Sequence, residues 1–179
     1  MLQITIPYTE LWDGINQTFI YVEPCELELE HSLLSISKWE AKYHKPFLTK
    51  EPKIIKETID YIKCMCLSDV PDIVYRCLTE NNIDEVNAYI DDPMTATRFS
   101  DNKNGSGGQT VITSEVVYYL MFALGIPIEC QTWHLNRLIT LIRVFEAKNQ
   151  KPKKMSTKDI LTRNAALNEA RKKQLNTTG

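Results

Sequence analysis

The chain has 179 residues, 43% of them apolar and 25% charged, enough for one cored domain with little left for a second. It has no apolar run of about 18 residues to cross a membrane as a helix, and MLQITIPYTELWD lacks the basic start and apolar centre of a secretory signal. Net charge is −2 but uneven: from Lys148 onward nine Lys/Arg stand against two acids, whereas the preceding residues carry twelve against twenty-one. A basic terminal segment on an acidic chain points to an acidic surface as its target: its own body, a partner or nucleic acid.

Residues 2–6, 18–22 and 26–30 alternate apolar and polar side chains, which predicts three strands, the first two forming a hairpin through Trp12-Asp13-Gly14. In the third, Leu27 and Leu29 face a core while Glu26, Glu28 and Glu30 face water, so the sheet is antiparallel and wet on one side. The segment 32–48 predicts a short helix capped by Ser35 or Ser37 and ended before Pro46, with Trp39, Tyr43 and Phe47 docking it. Residues 53–67 predict an amphipathic helix with Ile55, Ile59, Ile62 and Met65/Cys66 on one face. Two further helices follow at 72–79 and 82–91, the second turning Ile83, Val86, Tyr89 and Ile90 inward. A short strand is expected at 94–99, then a polar Gly/Ser/Asn loop at 100–109.

The stretch 113–148 reads as the centre of the fold: two helices joined at Gly125-Ile126-Pro127, the first stopped by Gly125 and the second capped by Thr132. The apolar side chains are so broadly spread (Val116, Val117, Leu120, Met121, Leu124; Leu135, Leu138, Ile139, Ile142, Phe145) that burial on more than one side is expected. After a basic linker, Lys151-Pro152-Lys153-Lys154, a last helix begins at Ser156 or Thr157. Its apolar stripe is thin, so it projects as an arm or lies loosely on the acidic body. The domain reading is a body at 1–148 and a basic linker with helical arm at 149–179.

Residues that carry chemistry are sparse. Cys25, Cys64, Cys66, Cys77 and Cys130 are odd in number and scattered, which suits buried thiols in a reducing compartment better than a disulfide framework or a zinc site. His31, His44 and His134 fall in different elements without ligand spacing, and Asp91-Asp92 lacks a third metal ligand. Motifs for a phosphate loop, a dinucleotide fold, a zinc protease or a nucleophile elbow are not found. The reading is therefore a non-enzymatic protein without cofactor. Its basic residues Lys151, Lys153, Lys154, Arg163, Arg171, Lys172 and Lys173 are the expected partner-binding set, with a protein partner favoured over nucleic acid because the tail has neither a dense Arg run nor interleaved aromatics.

Three blocks, SLLSISKWEAKYHKPFL (32–48), TSEVVYYLMFALGIPIECQTWHLNRLITLIRV (113–144) and PKKMSTKDILTRNAALNEARKKQLNTTG (152–179), resemble the tail assembly chaperones of long-tailed, siphovirus-like bacteriophages. The resemblance implies a non-catalytic factor in the cytoplasm of the infected bacterium. Such a factor coats the long helical tape measure protein, keeps it soluble and yields to tail tube subunits, with self-association also open. It implies the short form of a pair whose long form arises by frameshift. Two alternatives stand beside it: a structural virion subunit of the tail or connector, and a small nucleic-acid-binding protein using the basic arm. The fold expected is α+β, mainly helical, with a small N-terminal antiparallel sheet.

Overall fold

A computed structural model describes residues 1–49, 51–97, 112–149 and 157–175. The architecture is mixed α+β: among the described residues, strands β1 (Leu2–Ile6), β2 (Thr9–Asp13), β3 (Thr18–Val22) and β4 (Cys25–Leu29) precede six α-helices. The chain divides into two compact units, Met1–Glu146 and Ala147–Gly179.

The sheet differs from the expected one in a way two prolines explain. β1 pairs antiparallel with β4, and β2 with β3, as two separate two-stranded sheets. Extending the β1–β4 register by two residues lands on the β2–β3 register, which sets Pro7 opposite Pro24. Neither proline has an N–H to give to a ladder, so one long hairpin is split where they meet. The turn therefore lies beyond Asp13, whose Oδ1 accepts the Ile15 N–H at 3.0 Å and the Asn16 N–H at 3.4 Å, with Gln17 at φ 49°. The expected pairing of 2–6 with 18–22 is wrong because 9–13, with its Asp-containing turn, is itself a strand. The expected alternation in the last strand holds at Leu27 and Leu29, which are buried with Ile4 and Ile6, but Glu30, expected to face water, is largely covered, its side chain 14% exposed.

Helix α1 (Leu33–Tyr43) begins at Ser32, which caps it in a reciprocal pair with Ser35. Ser35 is thus the third helical residue and not the cap. The Trp39 Nε1 donates to the Glu57 carbonyl at 2.9 Å, docking α1 on α2 (Ile55–Met65). Across the same contact Asp60 accepts Lys42 at 2.6 Å and the Tyr43 hydroxyl at 2.5 Å, and Glu57 accepts Lys45 at 2.8 Å. Ile62 and Met65 are fully buried and Tyr61 is buried beside them in the core, but Ile55, expected inside, is exposed. After α2 the chain runs along the free edge of β4: Glu30 N–H donates to the Met65 carbonyl at 3.0 Å and Leu67 N–H to the Glu28 carbonyl at 2.8 Å.

Residues 72–79 hold only a 3-10 turn, Val74–Cys77, in place of the expected helix. Helix α3 (Glu80–Asp91) is capped by Thr79 with Asn82 as its reciprocal partner, buries Val86 and Tyr89, and packs on β1. Residues 94–97 are not extended into a strand; positions 98 and 99, the loop at 100–109, the linker at 151–154 and residues 176–179 lie outside the described residues.

Helix α4 (Ser114–Ala123) ends at Gly125, φ 67°. The Gly125 N–H donates to the Phe122 carbonyl and the Ile126 N–H to the Met121 carbonyl, the paired bonds that close a helix through a left-handed residue. A 3-10 turn, Ile128–Thr132, then leads to α5 (Leu135–Asn149). Thr132 therefore closes the turn, its hydroxyl donating to the Glu129 carbonyl, and does not cap α5. The centre of the body is also elsewhere: α1, not the 113–148 pair, packs against α2, α4 and the second 3-10 turn. α4 buries Val117 and Met121 on one side, and α5 buries Leu135, Leu138 and Ile142 on one side. Breadth of apolar sequence predicts burial on more than one side, but among the described residues Tyr118, Leu120, Leu124, Ile139 and Leu141 are only partly covered and Tyr119, Phe122 and Phe145 are exposed. In the second unit, α6 (Thr157–Leu175) has every described side chain exposed.

Candidate partner-binding surfaces

Two of the three histidines, expected to be scattered, meet inside the body. The rings of His31 and His134 lie 5.1 Å apart in an edge-on arrangement, both buried. The Leu135 N–H donates to the His31 carbonyl at 2.7 Å and Ser32 bridges to His134, so the start of α1 and the start of α5 are tied back to back. The His31 Nδ1 and the Tyr61 hydroxyl are 2.5 Å apart, and the His134 Nε2 is 3.0 Å from the Tyr89 carbonyl. Burial, reinforced by His134, pushes the His31 pKa down to about 3, while burial pushes the Tyr61 hydroxyl up. At neutral pH His31 is thus uncharged, hydrogen-bonded to a neutral phenol.

A cleft of 270 Å³ borders His134, lined by Glu30, Tyr89, Trp133 and Arg137 among others. Its acid is already held: Glu30 accepts the N-terminal ammonium at 2.9 Å and the Tyr89 hydroxyl at 2.8 Å. Arg137 lies over the Trp133 ring at 4.3 Å. Among the described residues no group of three or more His, Cys, Asp or Glu is placed to hold a metal, and no buried side-chain nitrogen or oxygen lacks a partner. These polar contacts join secondary-structure elements to one another, which is structural work.

The second buried cluster positions α4. Glu40, on α1 and buried, accepts the Phe47 N–H at 2.7 Å through Oε1 and, through Oε2, the Ser114 N–H at 2.8 Å and hydroxyl at 2.5 Å. A carboxylate thereby serves the first N–H of α4, that of Ser114, where the helix dipole favours negative charge. Tyr118 donates to Gln131 at 2.9 Å and fixes the other end against the 3-10 turn. Sequence reasoning missed Glu40 because its partners lie 7 and 74 residues away; an acid on the predicted inner side of a helix was the available signal.

What α4 presents once fixed is apolar. Its composition is apolar nearly all round, yet only one side is buried. Tyr119 is 69% and Phe122 67% exposed, with Glu115 one turn before Tyr119 on the same face. The Glu115 carboxyl is held below its usual range by its own backbone N–H and the Thr113 hydroxyl. Beyond the helix, Ile128 is also exposed.

Of the expected partner-binding residues, Arg163, Arg171, Lys172 and Lys173 stand exposed on α6; Lys151, Lys153 and Lys154 lie outside the described residues. The expected burial of α4 on more than one side does not extend to Tyr119 and Phe122, which are exposed.

Comparison with protein-family models, with curated proteins and with solved structures finds no match.

Proposed function

We propose that the protein is a non-catalytic assembly chaperone that holds an apolar helical polypeptide, and that its client is the tape measure protein of a long-tailed phage. The observation that carries the reading is α4: an almost wholly apolar helix, anchored by a buried carboxylate, with Tyr119 and Phe122 turned to solvent. A helix that is hydrophobic all round belongs in a core, in a membrane or against a partner. No helix among the described residues is long and apolar enough to cross a membrane. A long tape measure helix offers repeated apolar stripes, and a shallow aromatic face with one flanking acid takes many such stripes without demanding one register. The sequence resemblance supplies the client's identity, and the tail tube protein is the second partner it suggests.

The test is affinity for labelled tape measure segments by fluorescence anisotropy. Tyr119→Ser with Phe122→Ser removes two aromatic anchors worth about 1–2 kcal/mol each, so binding should weaken at least roughly 30-fold while the unfolding midpoint stays put. Unchanged binding by the double variant rejects this face. Finding the protein at fixed copy number in purified particles rejects the chaperone reading in favour of a virion subunit.

A further inference from the structure

The β2–β3 hairpin carries a second uncovered surface, of different chemistry. On one face Trp12 and Phe19, opposite each other in register, pack edge to face at 5.0 Å, and Tyr21 stacks with Tyr8 at 6.4 Å. Trp12 is 56%, Phe19 50% and Tyr21 59% exposed. Glu10 lies on the same face, opposite Tyr21, and takes a hydrogen bond from the Tyr8 hydroxyl at 3.2 Å. The acids of this region have no basic neighbours in sequence: residues 1–37 contain six Asp/Glu and not one Lys or Arg. Aromatic rings interleaved with carboxylates make a surface that attracts cations carrying apolar stems.

The same chain holds the complement. α6 exposes Ile160, Leu161, Leu167 and Leu175, which fall within about a third of the helix circumference at 100° per residue. Arg171 sits within that stripe, between Leu167 and Leu175 at successive spacings of four, and Lys172 flanks it. The hairpin strands are about 17 Å long, which matches three turns of helix.

We propose that the aromatic–acidic face of the β2–β3 hairpin docks α6 of a second copy of this chain, with Leu167, Arg171 and Leu175 against Trp12, Phe19 and Tyr21. Both patches are exposed in the single chain, and their charges are opposite. Donor and acceptor patches differ, so the contact is heterologous: it closes by reciprocal exchange in a dimer or runs on through further copies. It is independent of the client reading, since it uses neither Tyr119 nor Phe122.

Sedimentation velocity of the full chain tests it across a concentration series. The expected result is association at about 0.05 M salt that weakens at least tenfold at about 0.5 M, as screened charges require. Two variants should each be monomeric with unchanged circular dichroism: Glu10→Lys, and Arg171→Glu with Lys172→Glu. Mixed, they restore opposite charge across the contact and should form a mixed assembly. A wild-type chain that stays monomeric throughout, as an intramolecular contact would leave it, overturns the proposal. So does association that survives both variants, or a mixture that fails to assemble.

Discussion

Replacing Glu40 by Ala should be among the most damaging single changes in the body. The carboxylate is buried and holds the Phe47 N–H, the Ser114 N–H and the Ser114 hydroxyl. Its loss leaves two buried backbone donors without a partner, at about 1–3 kcal/mol each. It also removes a negative charge from the start of α4, worth about 0.5–1 kcal/mol. The sum is about 4 kcal/mol. With a urea slope of about 2 kcal/mol per molar, the unfolding midpoint falls by about 2 M. Glu40→Gln should recover less than half of this. One amide oxygen can serve Phe47 or Ser114, and the amide NH₂ then faces the other donor. Urea unfolding followed by tryptophan fluorescence reads both variants, with Trp39 buried next to Glu40 on α1. A midpoint shift below about 0.5 M for the Ala variant would refute the reasoning and show that α4 is held by its apolar side alone.

Three further outcomes follow from the same structure. The unfolded chain takes up a proton at an ordinary histidine near pH 6.5, whereas folded His31 resists protonation to about pH 3. Its contribution is therefore complete above pH 6.5 and is lost on acidification at up to about 1.4 kcal/mol per pH unit. His31→Gln should flatten the stability profile between pH 6 and 4.5, measured by urea midpoints; an unchanged slope would sink the assignment. Gly125→Ala forces a left-handed residue to carry a Cβ, in open space, and should lower stability by about 1 kcal/mol, seen as a drop of a few degrees in Tm. Leu138→Asp or Ile142→Asp buries an unpaired carboxylate and should unfold the body at a cost of several kcal/mol; a cooperative thermal transition near wild type would place that face on a surface.

Fold class was legible because its signals are local. Alternating Leu and Glu at 26–30 and Gly125 ahead of Pro127 each specify a conformation within a few residues, whereas with several serines close together the sequence points to a cap at Ser35 or Ser37 and not at Ser32. The strand at 9–13 escaped because Trp-Asp-Gly looks like a turn, and only the facing prolines show that the hairpin continues past them. Sidedness was the harder failure. In α4, apolar residues occupy nearly every position, so periodicity cannot say which side is covered. Val117 and Met121 are buried while Tyr119 and Phe122 are not, a difference that follows from packing on α1, with the distant Glu40–Ser114 link beside it, and that spacing does not show. The His31–His134 contact was invisible for the same reason: the two residues share no element, and strand pairing at Ser32 and His134 brings them together.

The most direct test of a client-holding role for the exposed face of α4 is the soluble fraction of the tape measure protein on co-expression. The wild-type chain should keep most of it soluble, and the Tyr119→Ser, Phe122→Ser variant, folded to the same Tm, should leave it in the pellet. Equal solubility with both chains would contradict the account.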